Sequence, residues 1–195
     1  MVFDRTAGGL GTIWAAGARL YRHRSLLDAS LGVSSWQEGL NFIAKFRPER
    51  PIAEIQFWGH GKWGDARIGA ERFSERSLSR NDALAPLLGR IGSRLAGKDA
   101  LFWFRTCETL GTEHGQRFAA ALGDSLGCRV AGHTFVIAFW QSGLHVLAPG
   151  EAPTWDPEEG LLEGTSKEPR RARHSLPNAP NTITCFEGRI PDGWH

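Results

Sequence analysis

A histidine and a cysteine each follow an apolar segment of this sequence, and together they could carry out nucleophilic catalysis. His60 stands between two glycines after the segment IAEIQFWG, and Cys107 comes directly after the segment ALFWFRT. A histidine can accept the proton of a thiol, and the imidazolium formed then stabilises the thiolate. These residue types predict a thiol nucleophile with an imidazole base, provided that the fold brings the two segment ends together.

The residues around this pair suit the same chemistry. Gly61 allows a substrate to approach the backbone closely, and its N–H is available to an oxyanion. A helix predicted to begin near Gly111 would direct its N-terminal N–H groups toward Cys107. We expect that helix to lower the pKa of the thiol further.

The elements that must position the pair are read from hydrophobic periodicity. Apolar runs predict buried strands, and amphipathic segments between them predict helices. The strands are VFD, IAEIQFWG, ALFWFRTC and CRVAGHT, and ARIGAERFS is a short hairpin. The helices are SSWQEGLNFIAKF, begun by Ser34 or Ser35, NDALAPLLGRIGSRLAG, running from Asn81 or Asp82 to Gly97, and GTEHGQRFAAALGDSLG. TIWAAGARLY, Thr12 to Tyr21, is interpreted as a strand or hairpin.

Continuous apolar strands separated by helices indicate a largely parallel sheet that is covered on both faces. We therefore expect a three-layer α/β/α sandwich with a mainly parallel sheet. Sites in such sheets form at the carboxyl ends of the strands, and successive strands are usually neighbours. His60 and Cys107 are thus expected at the same edge of the sheet.

Composition changes near residue 150, which divides the chain into two parts. Residues 1–150 are expected to form the compact domain. Residues 151–195 are rich in Pro, Glu, Arg and Asn, and are expected to form a loop-rich C-terminal extension. The segment TITCFEG near its end is a possible edge strand.

Charge and cysteine content exclude several classes of function. The chain has 195 residues, a net charge of +2 and no long apolar run, whereas a bilayer span needs ~18 apolar residues. The motif RRAR, Arg170 to Arg173, is interpreted as a solvated, flexible turn rather than a nucleic-acid patch. The N-terminus lacks the apolar region of a signal peptide. Three widely spaced cysteines indicate a reducing compartment, so we expect a cytoplasmic protein with no nucleic-acid or membrane partner.

The segments IQFWGHG and LFWFRTC resemble the paired motifs of the caspase-like cysteine peptidases, the caspase–hemoglobinase fold or clan CD. In that family one hydrophobic strand ends in His-Gly and a second ends in the nucleophilic cysteine. His60 precedes Cys107 by 47 residues, and the caspase histidine lies about 50 residues before its cysteine. The stretch CETLGTEHGQRFAAALGDSLGCRVAGHT is similar to bacterial domains of this fold, so the resemblance covers Ile52 to Thr134.

The resemblance implies a caspase-like sheet, with His60 as the base and Cys107 as the nucleophile. It implies that the backbone N–H groups of Gly61 and Cys107 form the oxyanion hole, and that no metal or cofactor takes part. The caspase signature Gln-Ala-Cys-[Arg/Gln/Gly]-Gly is absent, because Arg105-Thr106 precede the cysteine and Glu108-Thr109 follow it. A preference for cleavage after Asp therefore does not carry over.

Further polar and aromatic residues near the motifs could complete the site. Trp63, in a glycine-rich loop, is a candidate for substrate contact. Asp65 and Glu108 could orient the histidine or bind a basic substrate side chain, and so could Asp4 at the end of VFD. The sequence does not rank these three acids.

Other kinds of site fit the sequence less well. Four polar residues near predicted strand or helix ends could serve a metal hydrolase: His60, Glu113, His114 and His133. Their spacing is not that of a zinc site. No Gly-x-Ser-x-Gly elbow is present, and GHGKWG does not fit a phosphate-binding loop.

The predicted function is a cysteine endopeptidase that acts on a peptide or protein through an acyl-enzyme. The first alternative is a catalytically inactive caspase-like module that binds a protein partner through the same cleft. The second is an unrelated α/β protein in which the thiol and the imidazole never meet.

Overall fold

The computed structural model describes residues 1–194 as thirteen strands, four α-helices and one 3₁₀ turn. In chain order the strands are β1 (Val2–Asp4), β2 (Leu31–Val33), β3 (Glu54–Trp58), β4 (His60–Lys62), β5 (Asp65–Ile68), β6 (Glu71–Ser74), β7 (Leu101–Arg105), β8 (Arg129–His133), β9 (Trp140–Gln141), β10 (Leu144–Leu147), β11 (Leu161–Gly164), β12 (Pro169–Ala172) and β13 (Ile183–Thr184). The helices are α1 (Gly9–His23), α2 (Trp36–Lys45), α3 (Ala85–Gly92) and α4 (Thr112–Leu126), and the 3₁₀ turn is Glu75–Leu78.

Six of these strands form the central sheet, in the order β2-β1-β3-β7-β8-β10. The first five are parallel, and β10 runs antiparallel to β8 at one edge. Both faces carry apolar side chains, as parallel strands require. The predicted α/β fold with a mainly parallel sheet is confirmed.

Two groups of elements cover the sheet. One face packs its phenylalanines, among them Phe57, Phe102 and Phe104, against α2, α3 and α4. On the other face, Trp58 packs against α1, and Trp103 packs against the C-terminal segment. The result is three layers. The helices α2, α3 and α4 cover one face of the central sheet, and α1 together with the C-terminal segment covers the other.

The strand order reverses between β1 and β3, because the chain moves from β1 to β2 in one direction and from β3 to β7 in the other. At such a switch point the connections leave the carboxyl ends on opposite faces, which opens a crevice. α1 follows β1 and packs on the Trp58 face of the sheet, whereas the ribbon after β3 packs Phe73 on the phenylalanine face. His60 therefore leaves the sheet next to the switch point.

The prediction for Thr12 to Tyr21 is wrong, because this segment lies within α1. Trp14, Ala18 and Tyr21 recur at helical spacing, and Ala18 and Tyr21 pack with Phe3 and Trp58 of the sheet. The aromatic and β-branched residues favoured a strand, but packing against the sheet decides the conformation.

The helix predicted over NDALAPLLGRIGSRLAG is shorter than expected. We expect it to run from Asn81 or Asp82 to Gly97, and α3 covers only Ala85–Gly92. The carboxylate of Asp82 accepts the N–H of Leu84 and so holds a turn before the helix. After Gly92 the chain turns so that the Arg94 guanidinium donates to the last carbonyls of α2.

Other local predictions are confirmed. Ser35 begins α2, where its hydroxyl accepts the N–H of Glu38. Gly127 ends α4 in the left-handed conformation, with φ of 65°. The segment ARIGAERFS forms most of the hairpin β5–β6.

The C-terminal extension is more regular than its composition indicates. The motif RRAR, expected to be a flexible turn, lies largely in β12, which pairs with β11 in a hairpin. β13 lies in the TITCFEG segment and pairs with β9 in a separate two-stranded sheet rather than at an edge of the central one. Trp155 and Ile183 are both buried against the domain. Within residues 1–194, no helix has the length and apolar character needed to span a membrane.

Candidate active site

The two motifs meet because β3 and β7 are parallel neighbours. Trp58 and Arg105, the last residues of these strands, are register partners. Gly59-His60 and Thr106-Cys107 consequently leave the sheet at the same edge, next to the switch point. The prediction that the two strands are neighbours is confirmed.

A three-stranded ribbon of β4, β5 and β6 carries His60 across this edge. Its inner face is apolar and buried, with Ala66, Ile68 and Phe73 directed into the core. Gly61 is the register partner of Ala66 and lies on the same inner face. His60 and Lys62 alternate with it and lie on the outer face.

Gly61 is where the ribbon contacts the cysteine turn. A Cβ atom at this position would lie 2.6 Å from the carbonyl oxygen of Cys107 and 2.9 Å from Cβ of Thr106. Only glycine leaves room for this approach. The backbone of β4 therefore rests directly on the turn that carries the thiol.

In the pairing of β4 with β5, the backbone N–H and C=O of Gly61 form no hydrogen bond to β5. Lys62 and Asp65 flank the two-residue turn and are a hydrogen-bonded pair, so Gly61 and Ala66 form the next, non-hydrogen-bonded pair. The N–H and C=O of Gly61 consequently point away from β5. The role of this N–H in an oxyanion hole stays a prediction.

Cys107 is half-buried beneath the loop that follows β8. Its thiol donates to the carbonyl of Ile137 at 3.7 Å, and the next N–H, that of Glu108, donates to the carbonyl of Phe135 at 2.9 Å. Burial raises the pKa of the Cys107 thiol, and the carboxylate of Glu108 acts in the same direction; the backbone contacts of the thiol, first that with Ile137, and the charge of Lys62 only partly offset them. The expectation that α4 leaves this thiol with a lowered pKa is wrong in this structure, because desolvation dominates.

His60 is exposed and lies beside α1. Its ring meets that of Trp14 edge-to-face, with the centroids 5.5 Å apart. Arg67 is its register partner on the outer face of the ribbon. Over residues 1–194, no hydrogen bond joins the His60 ring to the sulfur of Cys107, so a direct dyad contact stays a prediction.

The acidic residues predicted near the site are already paired within the chain. Asp65 accepts two hydrogen bonds from Arg67, at 2.6 and 2.9 Å. Glu108 forms an ion pair of 2.9 Å with Lys62, whose ammonium also lies 4.0 Å from the centre of the Trp63 ring. Both carboxylates are buried and neither contacts His60, so their predicted roles would require these pairs to open.

The remaining predicted residues are spread over the neighbouring elements. Asp4 ends β1 as expected, and its carboxylate accepts the N–H groups of Thr6 and Gly69. Trp63 is half-buried, and its ring lies against Gly111 at the start of α4. Asp4 therefore ties the end of β1 to the ribbon, whereas Trp63 keeps part of its ring accessible.

Sequence reasoning missed two contacts of the candidate pair. Trp14 lies in the segment taken for a strand, and its helical spacing with Ala18 and Tyr21 was the available signal. Ile137 contributes only a carbonyl group, which no sequence pattern identifies. No group of three or more His, Cys, Asp or Glu in residues 1–194 is arranged to hold a metal ion.

Comparisons of the chain with protein-family models, curated proteins and solved structures find no significant match.

Proposed function

We propose that the protein is a cysteine endopeptidase of the caspase-like type, with Cys107 as the nucleophile and His60 as the general base. The observation that carries the proposal is the junction of the two motifs. His60 and Cys107 follow neighbouring parallel strands, and Gly61 lies on the Cys107 turn without room for a Cβ atom. In the proposal, a substrate carbonyl reaches the thiol of Cys107 and the N–H of Gly61 together.

The raised thiol pKa determines how the reaction would begin. A neutral thiol must lose its proton as it attacks, so His60 acts as a general base rather than as a preformed imidazolium partner. The sulfur forms a bond to the scissile carbonyl carbon, and the oxyanion accepts hydrogen bonds from the backbone N–H groups of Gly61 and Cys107. Attack requires the thiol to leave the carbonyl of Ile137.

The tetrahedral adduct then collapses and the C–N bond breaks. His60 returns the proton to the leaving amine, and the acyl group remains on the sulfur as a thioester. Water, deprotonated by His60, attacks the thioester. The C–S bond breaks, the new carboxylic acid leaves and the thiol is restored. One water is consumed, and every other group in this reaction belongs to the chain or its peptide substrate.

Two reagents test the proposal, in a background of Cys128→Ser and Cys185→Ser. Iodoacetamide reports the accessibility of the Cys107 thiol, whereas a peptidyl acyloxymethyl ketone reports attack on a carbonyl in a bound peptide. We expect His60→Ala to slow labelling by the ketone about 10²–10⁴-fold, as loss of a general base does. The effect on iodoacetamide should be much smaller.

His23→Ala provides a matched control, because His23 is exposed in the last turn of α1 and far along that helix from Trp14. It should leave both labelling rates unchanged. Equal effects of His60→Ala on the two reagents, or no labelling by any peptidyl ketone, would rule out the peptidase.

A protein-binding module is the second candidate, and the burial of the thiol favours it. A cysteine whose proton is held by the Ile137 carbonyl behaves as a small core residue. In that case Cys107→Ala would retain the thermal stability of the protein and its affinity for any captured peptide, and ketone labelling would be absent.

A further inference from the structure

Three aromatic side chains form an exposed cluster beyond Cys107. Phe139, Trp140 and Phe186 are 47, 37 and 51% exposed, although aromatic residues of this size normally bury most of their surface. Phe139 meets both of the others edge-to-face, with ring centroids 5.1 and 5.8 Å apart. We call these three residues the aromatic cluster.

The aromatic cluster is held by a rigid support. Trp140 is the register partner of Thr184 in the sheet of β9 and β13, and the N–H of Cys185 donates to the carbonyl of Phe139 at 2.8 Å. Below this sheet, the guanidinium of Arg105 donates to the side chain of Gln141 at 2.7 Å. The backbone that carries Phe139 and Trp140 is therefore hydrogen-bonded to the β13 segment rather than part of a free loop.

Arg105 also connects this support to the candidate active site. It is the last residue of β7, two positions before Cys107. From the other side, the carbonyl that accepts the thiol hydrogen belongs to Ile137, two positions before Phe139. The Ile137 carbonyl is 3.7 Å from the sulfur, and two residues of extended chain span only about 7 Å, so the backbone of Phe139 follows directly on the segment that contacts the thiol.

We infer that the aromatic cluster is the subsite for a large apolar side chain of the substrate, on the residue whose carbonyl Cys107 attacks. This inference rests on the proposed function and adds the substrate class to it. A peptide carbonyl placed at the sulfur brings its own side chain to the Ile137–Phe139 segment. Edge-to-face pairs leave ring faces and edges open, and a further aromatic or branched aliphatic side chain packs well against them.

Charge at the site favours the same occupant. The acids nearest the thiol are neutralised within the chain, Glu108 by Lys62 and Asp65 by Arg67. The carboxylate of Glu187, next to the aromatic cluster, accepts the N–H and hydroxyl of Thr184. A basic substrate side chain would have to displace Lys62 or Arg67 to reach the two acids nearest the thiol. Glu187 is exposed and keeps its charge, but it lies beside open ring surface that only an apolar side chain can cover.

The test uses four peptidyl acyloxymethyl ketones that differ only in the residue bearing the ketone, which is Phe, Leu, Ala or Asp. In the Cys128→Ser, Cys185→Ser protein, we expect the Phe and Leu probes to label Cys107 at least about tenfold faster than the Ala and Asp probes. Phe139→Ala and Phe186→Ala should each slow labelling by the Phe and Leu probes far more than labelling by the Ala probe, and so remove most of this preference. Both side chains are about half exposed, and circular dichroism checks that the variants fold.

Leu162→Ala serves as the matched control, because Leu162 is 43% exposed but lies outside the aromatic cluster, in the hairpin β11–β12. It should retain the full preference. His60-dependent labelling with no preference among the probes, with preference for Asp, or with a preference that both Phe variants retain overturns the subsite and leaves the peptidase standing. No labelling by any of the four probes overturns the peptidase and the subsite together.

Discussion

Gly61 packs on the carbonyl group of Cys107, and a Cβ atom at position 61 would lie 2.6 Å from that oxygen. The hydroxyl of Thr109 lies closer still to that Cβ position, and the Lys62–Glu108 ion pair of 2.9 Å joins the same two motifs. These contacts mean that β4 and the cysteine turn cannot move independently. The geometry of the candidate site is therefore sensitive to a single methyl group.

Gly61→Ala should destabilise the protein by about 1–3 kcal/mol, because the added methyl group overpacks a contact made by backbone. It should also slow ketone labelling of Cys107, since the ribbon that carries His60 is displaced. Urea unfolding and labelling kinetics measure the two effects. Gly89→Ala is the control, because a Cβ atom in that part of α3 meets nothing within 4 Å. An alanine at position 61 that is tolerated as well as one at position 89 would contradict the observed packing.

Arg105→Met should loosen the C-terminal segment from the domain. The buried guanidinium donates to Tyr21 of α1 at 2.6 Å, to Gln141 at 2.7 Å and to the carbonyl of Glu187 at 3.0 Å. Methionine has similar length but no donors, so these buried acceptors lose their partner at a cost on the order of 3 kcal/mol. Urea unfolding gives the free energy, and hydrogen exchange should accelerate selectively in residues 183–188.

The control for this prediction is Arg171→Met. Arg171 is exposed on β12 and pairs with Glu163 at 3.2 Å, so its loss should change the free energy of unfolding by less than about 0.5 kcal/mol. Unchanged hydrogen exchange at residues 183–188 in Arg105→Met would show that other contacts hold this segment.

The central sheet could be predicted because its strands are continuous apolar runs. Segments such as Leu101–Arg105 are buried on both faces, so their composition alone identifies them. α1 could not be identified in this way, because Trp14, Ala18 and Tyr21 need the surface of Phe3 and Trp58 to favour a helix over a strand. The strand prediction for this segment rested on residue propensity, whereas tertiary packing stabilises the helix that forms.

Part of the candidate site could likewise be predicted from the sequence, and part of it could not. The adjacency of His60 and Cys107 follows from strand order, which short connections and apolar runs predict. The state of the thiol does not, because the Ile137 carbonyl and the loop that buries Cys107 come from a segment 30 residues away in sequence. Likewise, nothing in the spacing of Lys62 and Glu108 indicates that they neutralise each other.

The three cysteines should differ sharply in alkylation. Cys128 has no exposed surface, and burial raises the pKa of its thiol to about 11. Cys107 and Cys185 are both half-exposed. With iodoacetamide at pH 8, peptide mapping should find Cys107 and Cys185 modified well before Cys128, because the reagent needs both access and thiolate. In 8 M urea the three rates should converge, and a native Cys128 that reacts as fast as Cys185 would contradict its burial.

His133 should make the protein less stable in mild acid. Its ring is buried, and burial, together with the nearby positive charge of Arg105, lowers its pKa to about 3. Its Nδ1–H donates to the carbonyl of Ser142 at 3.2 Å. In the unfolded chain a histidine has a pKa near 6.5, so below that pH the unfolded state binds a proton that the folded state rejects. Stability contributed by neutral His133 is therefore complete above pH 6.5 and is lost as the pH falls toward 3.

Below pH 6 this group alone contributes a slope of up to about 1.4 kcal/mol per pH unit. Urea unfolding at pH 7.5, 6.0, 5.0 and 4.5 should give a shallower decline for His133→Asn than for the wild type, whatever the absolute stability of the variant, because asparagine does not titrate. Carboxylates titrate in both proteins, so the difference between the two slopes isolates the histidine. His23→Gln, which removes an exposed imidazole, should keep the wild-type slope. If His133→Asn also kept it, the ring would have to be protonated in the folded protein, and its burial between Arg105 and the Ser142 carbonyl would be wrong.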